Sequence, residues 1–95
     1  MAYRLTARAR RDLLQIWAYI ADDSETAADR FIDFLTQQFQ LLGDSPHIGR
    51  RRDDLRLGYR SFPVGDYLIL YQIADPGVRI MHLIHGRRDL QALLR

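Results

Sequence analysis

Ninety-five residues make a single domain over positions 1–95, and 47% hydrophobic with 27% charged residues is the balance of a globular rather than a disordered chain. The absence of cysteine excludes disulfides and thiolate metal sites. Net charge is only +2, but all 14 basic residues are arginines, which excludes any mechanism that needs a lysine as base or nucleophile.

Residues 2–5 alternate weakly and read as a short first strand. Thr6 stands where a helix N-cap belongs. Ala9, Leu13, Ile16, Trp17 and Ile20 then recur with the period of one helix face, with Arg8, Arg11, Asp12 and Gln15 expected on the opposite, solvated side. This helix should stop near Asp22-Asp23. Ser24 is the next N-cap, and Glu25 in the first turn complements the helix dipole. Ala28, Phe31, Ile32, Leu35, Phe39 and Leu42 mark a second apolar stripe. Gly43 is placed as its C-cap, with Pro46 as a stop signal. The link between the two helices is so short that they must fold back as an antiparallel hairpin. Trp17, Phe31 and Phe39 fit the core faces, whereas Tyr19 and Phe34 fall off them and are candidates for an exposed partner-binding patch.

Residues 44–58 show no periodicity and are dominated by Gly, Pro and charge, so they read as a long surface loop. Three strands follow, at 59–63, 66–74 and 78–85, with Pro63-Val64-Gly65 and Asp75-Pro76-Gly77 as turns. The last two strands are apolar on both faces. They should lie centrally, with helices on one side and a tail or partner on the other. After Gly86 a short amphipathic helix or tail closes the chain. The order β-α-α-β-β-β argues an α+β fold, with an antiparallel helical hairpin packed on a small, mainly antiparallel sheet.

Charge is segregated along this order. Residues 44–60 hold five Arg against three Asp, and residues 79–95 four Arg against one Asp, while 24–43 is net acidic. A surface built from the two basic segments suits an acidic partner or nucleic acid. No start resembling a signal peptide is present, and the apolar stretch Tyr67 to Tyr71 is far too short to span a bilayer. The expected location is the cytoplasm, without membrane contact.

Of the three histidines, His82 and His85 lie three apart on a strand, so they point to opposite faces and cannot jointly grip a metal. Neither a Gly-rich phosphate loop nor a Gly-x-Ser-x-Gly elbow occurs, so no cofactor and no metal are expected. Metal-free phosphodiester cleavage would need a base, an acid and arginines on the phosphate. Arg60, Arg87 and Arg88 with His85 supply part of that set if their strands are neighbours, but no convincing base accompanies them.

The motifs in this order resemble the ParE branch of the RelE/ParE superfamily. Tyr3-Arg4-Leu5-Thr6, Ala9 and Asp12-Leu13-x-x-Ile16-Trp17-x-Tyr19-Ile20 are similar to the family's first helix, and Ala27-Ala28-x-x-Phe31-Ile32 to its second. Pro46-x-x-Gly49-Arg50 with Asp53-Asp54-Leu55-Arg56-x-Gly58-Tyr59-Arg60-Ser61 resembles its central loop and following strand. Tyr67-Leu68-Ile69-x-Tyr71 and Ile84-His85-Gly86-Arg87-Arg88-Asp89 resemble its last strands. The resemblance spans about residues 3–90. It implies the toxin of a type II toxin–antitoxin system, with a cognate ParD-like antitoxin as partner, DNA gyrase as target, and operator DNA met only through the antitoxin. RelE-like relatives share the fold but cut messenger RNA on the ribosome, and draw on lysines and a C-terminal aromatic. This chain has no lysine and no aromatic after Tyr71, so the resemblance favours a non-catalytic inhibitor. Under it, Arg60, His85, Arg87 and Arg88 are the candidates for toxicity, and Tyr19, Ile20, Phe34, Arg60 and Arg87 for antitoxin contact.

Overall fold

The computed structural model describes residues 2–93, apart from the side chains of Arg87, Gln91, Ala92 and Leu93. Strand β1 (Tyr3–Leu5) leads into α1 (Ala7–Ala21) and α2 (Glu25–Asp44). A 3-10 turn (Pro46–Ile48) and the two-residue β2 (Arg50–Arg51) follow, then β3 (Arg60–Val64), β4 (Tyr67–Ile73), β5 (Val78–His85) and α3 (Gly86–Leu93). The sheet order is β1-β5-β4-β3-β2. Only the β1–β5 pair is parallel. The α+β class and the mainly antiparallel sheet expected above are what the chain adopts.

Local chemistry sets the helix starts. The Thr6 and Ser24 side chains each accept from the backbone N–H three residues on, satisfying donors that have no partner inside the helix. Thr6 has a second role, since its hydroxyl donates to the Met81 carbonyl at 3.1 Å and ties the helix start to β5. Gly43 is not the cap. The α2 helix runs on to Asp44, with Ser45 as C-cap. A Cβ at Gly43 would lie 2.5 Å from Ala2 Cβ, so glycine is there for the close approach of α2 to the N-terminal strand.

Both faces of the central strands are covered. On the helix side, Ala9, Ile16, Leu35, Phe39 and Leu42 pack on Val64, Ile69, Tyr71, Val78, Ile80 and Leu83. On the far side, Tyr59, Leu70 and Ile84 are covered by Leu55 from the central loop and Leu90 from α3. An irregularity in the β4–β5 ladder, where Leu70 pairs with His82 but Tyr71 with Ile80, leaves Met81 as an extra residue. It resets the alternation of β5, so that Ile80 and Leu83 face the same way.

Four further expectations need correction. Asp12 is not on the solvated side of α1 but is 6% exposed, in the same stripe as Ala9 and Ile16. Trp17 is only partly buried. It sits at the edge of the hairpin, where its indole N–H donates to Asp29 at 2.8 Å. Residues 44–58 are not wholly irregular, because Arg50 and Arg51 pair with Ser61 and Arg60 at the sheet edge. The β3 strand also keeps Pro63 and Val64, so the turn falls at Gly65 (φ +59) and Asp66. Among the described residues, no helix is long and apolar enough to cross a membrane.

Candidate functional site

The β1 strand is too short to cover β5. It pairs only with Val78 to Ile80, which leaves this edge of β5, from His82 to His85, without a neighbouring strand among the described residues. An open strand edge exposes backbone groups that must find partners. Two carboxylates supply them. Asp12 of α1 accepts the Leu83 N–H at 3.1 Å, and Asp89 of α3 accepts the His85 N–H at 2.9 Å. Asp12 also accepts from Arg8 at 3.0 Å, one turn earlier on the same helix.

Between α1, this edge and α3 lies a groove of about 490 Å³, lined by Arg8, Gln15, Tyr19, His82, His85 and Arg88 among others. It continues into a second concavity of about 400 Å³ that shares Tyr19, Tyr67, His85 and Arg88 and adds Ile20, Phe31, Gly65 and Asp66. Inclined and edge-on aromatic pairs form its wall. The Phe31 and Tyr67 rings are 5.5 Å apart, and His85 meets Tyr67 edge-on at 5.6 Å. A third concavity on α2, lined by Ser24, Ala27, Arg30, Phe31 and Phe34, adjoins it through Phe31. Tyr19 is 74% exposed and Phe34 47%, and Phe31 lies between the two concavities that they line.

The groove thus brings together Tyr19, Ile20, His85 and Arg88, with Phe34 on its flank. Arg60 is elsewhere. It lies level with Tyr71 and Ile80, whereas His85 lies level with Tyr67 at the other end of the sheet. Two strands and four residues of rise separate them, roughly 15 Å. The Arg60 guanidinium is committed where it stands, donating to the Gly49 carbonyl at 2.8 Å and the His47 carbonyl at 3.3 Å. Arg87 falls in α3, but its side chain lies outside the described residues. The Arg88 side chain is 68% exposed and pairs with Asp89 at 3.5 Å.

His82 and His85 face opposite sides, as their spacing requires. The His82 ring packs 6.2 Å from Tyr59 of the far cluster, while His85 meets Tyr67 on the helix side. Among the described residues, no group of three or more His, Asp or Glu side chains is placed to hold a metal ion. Burial, and then the Arg8 guanidinium, hold the His82 ring below its ordinary pKa, and its buried Nδ1 has no hydrogen-bond partner among the described residues. Tyr71 is pushed up by burial, and its hydroxyl bridges the 3-10 turn, donating to the Pro46 carbonyl at 2.7 Å and accepting from Gly49 N–H at 2.9 Å. Sequence reasoning missed Asp12 and Tyr67 as shapers of the groove and Tyr71 as the anchor of the 3-10 turn. For Asp12 the signal was present, since positions 9, 12 and 16 share one helical stripe.

Residues 3–90 match the family model described as the ParE toxin of the type II toxin–antitoxin system parDE. The chain is 32% identical over 96 residues to Toxin ParE1 of Caulobacter vibrioides, covering 97% of this chain and 96% of that protein. Toxin RelE3 of the same organism is 32% identical over 83 residues, covering 86% and 90%. Among solved structures, a chain of the chromosomal ParDE TA system from P. aeruginosa superposes with a TM-score of 0.74, covering 90% of this chain and 95% of that one. At 17% identity that likeness speaks to the fold alone.

Proposed function

We propose that this chain, which belongs to the ParE toxins of type II toxin–antitoxin systems, is neutralised by a cognate ParD-like antitoxin and, when free, poisons DNA gyrase without catalysing a reaction of its own. The antitoxin supplies a segment that is disordered alone and folds across the hairpin, covering Tyr19, Ile20 and Phe34, with acidic groups meeting Arg88 and Arg87. Such coupled folding suits the connected concavities and the exposed Tyr19 and Phe34. Operator DNA is met through the antitoxin.

The observation that carries the non-catalytic reading is the separation of Arg60 from His85. A metal-free nuclease needs its base, acid and phosphate-binding arginines converging on one scissile phosphate. Here the two sit at opposite ends of the sheet, and Arg60 is turned to the 3-10 turn, its Nη1 on the His47 and Gly49 carbonyls and its Nη2 beside the His47 ring. An inhibitor needs only a presented surface.

The likeness to a toxin named RelE3 keeps ribosome-dependent messenger cleavage as the reading to test against. Purified protein should abolish gyrase supercoiling and accumulate cleaved plasmid. It should leave messenger intact on translating ribosomes. Codon-phased cleavage with unaffected gyrase would replace the target while keeping the toxin–antitoxin assignment.

A further inference from the structure

Between Arg52 and Tyr59 the central loop is closed and internally bonded. The Arg52 N–H donates to the Tyr59 carbonyl at 2.7 Å. The Arg52 guanidinium grips Asp54 through two bonds of 3.0 Å, and Asp53 accepts the Gly58 N–H at 2.9 Å. Both carboxyls are held below the ordinary aspartate range, Asp53 by the Gly58 N–H and Asp54 by Arg52. Leu55 and Tyr59 anchor the base of the loop in the far-side core.

The tip is a tight turn. The Tyr59 N–H donates to the Arg56 carbonyl at 3.0 Å, with Gly58 at φ +84 in the third place, the arrangement of a type II turn. That puts Leu57 at the leading corner. It is 86% exposed, the most exposed of the large apolar side chains among the described residues. Nothing in the fold calls for leucine there, because Leu55 already supplies the loop's buried anchor. Arg51 and Arg52 are paired to Asp53 and Asp54, but no ion pair among the described residues engages the exposed Arg50 or Arg56. An internally bonded turn thus presents one apolar side chain next to Arg56, with Arg50 exposed on the adjoining edge strand β2.

We propose that this loop is a preformed protein-docking finger whose tip, Leu57, enters an apolar pocket rimmed by acidic side chains on the target protein. The inference rests on the gyrase reading and names its docking element. The apolar tip calls for a pocket rather than a phosphate backbone, the uncommitted arginines call for acidic neighbours, and order before binding lowers the entropy lost on docking. Few residues carry most of a protein interface's free energy, and a protruding anchor is where they concentrate.

The experiment measures binding of the purified chain to immobilised gyrase, with Leu57→Asp, Leu57→Met and Arg56→Glu beside the unsubstituted protein. Circular dichroism confirms the fold, and each variant is also scored for antitoxin binding and growth arrest. We expect Leu57→Asp to weaken gyrase binding by roughly thirtyfold, Arg56→Glu to weaken it less and Leu57→Met to weaken it least, with antitoxin binding unchanged in all three. Unaltered gyrase binding by Leu57→Asp overturns the finger and leaves the gyrase reading standing. A matching loss of antitoxin binding also overturns it, because the occupant is then the antitoxin. If the unsubstituted chain does not bind gyrase, the gyrase reading falls and growth decides for the finger. Full toxicity of Leu57→Asp then refutes it, and lost toxicity retains it for another protein target.

Discussion

Asp12 is a carboxylate nearly withdrawn from water, with one oxygen on Arg8 and the other on the Leu83 amide. Asp12→Ala would leave that N–H facing the groove without an acceptor. An unsatisfied buried donor costs about 1–3 kcal/mol, and more where a charged partner is lost. We therefore expect Asp12→Ala to lower the denaturation midpoint clearly, while Arg8→Ala, at an exposed guanidinium, changes it little; urea titration of both checks this. His82 gives the matching expectation for pH. Its folded pKa lies below the unfolded value near 6.5, so the unfolded chain takes up a proton before the native state does. Stability is whole above about pH 6.5 and falls as pH drops toward the folded value. The depressed Asp53 and Asp54 carboxyls act at lower pH, losing their contribution as pH falls below about 4. His82→Gln should flatten the stability curve just below about pH 6.5 and leave the steeper fall in the carboxylate range. An unchanged slope in that window would show that His82 is not its source.

At the scale of elements, the helices and strands were legible because each obeys a local rule: two caps, two apolar stripes, and three apolar runs bounded by turn residues. What the sequence hid were positions fixed by a distant neighbour. Gly43 reads as a cap because glycine favours helix ends, yet its reason is Ala2, far away in the chain. Trp17 reads as core because it is large and periodic, yet it lies at the hairpin edge bonded to Asp29. Trp17→Phe should thus be mild, and Phe39→Ala, 1% exposed, should cost about 3–5 kcal/mol. The 3-10 turn is the sharper case. Gly49 is so close to Tyr71 that a Cβ would collide with the hydroxyl bridging Pro46 and Gly49. Gly49→Ala must therefore displace that hydroxyl or the turn. We expect about 1–3 kcal/mol of destabilisation, and altered exchange of the Arg50 and Arg51 amides by NMR. Native-like amide exchange at both would refute the clash.

Across the whole molecule, the fold class followed from element order, but the grouping of site residues did not. Which arginines meet His85 depends on strand order, on the ladder irregularity at Met81 and on where β1 ends, none of which is written in residue types. Arg60 and His85 lie on different strands of one sheet and still never meet, whereas Tyr19 and Arg88, far apart in sequence, line one groove. Leu57 was invisible for the same reason, since a leucine in a loop has no period to betray its exposure.

The resulting layout separates two surfaces. The surface around Phe34 and Tyr19 belongs to the hairpin, and the Leu57 finger to the central loop that covers the far face of the sheet. If the antitoxin docks on the first and the target on the second, the two functions can be broken independently. Phe34 is 47% exposed on α2, so a charge there leaves the core intact but must be desolvated when an apolar partner covers it. Phe34→Glu should fold normally, arrest growth alone, and continue to arrest it when the antitoxin is co-expressed. Tyr19→Ala should weaken the antitoxin complex in the same direction by removing contact area. Growth rescue by the antitoxin, paired with co-purification of the two proteins, reads both. Full rescue of Phe34→Glu would remove the α2 flank from the antitoxin's seat and confine that seat to the groove beside Tyr19, His85 and Arg88.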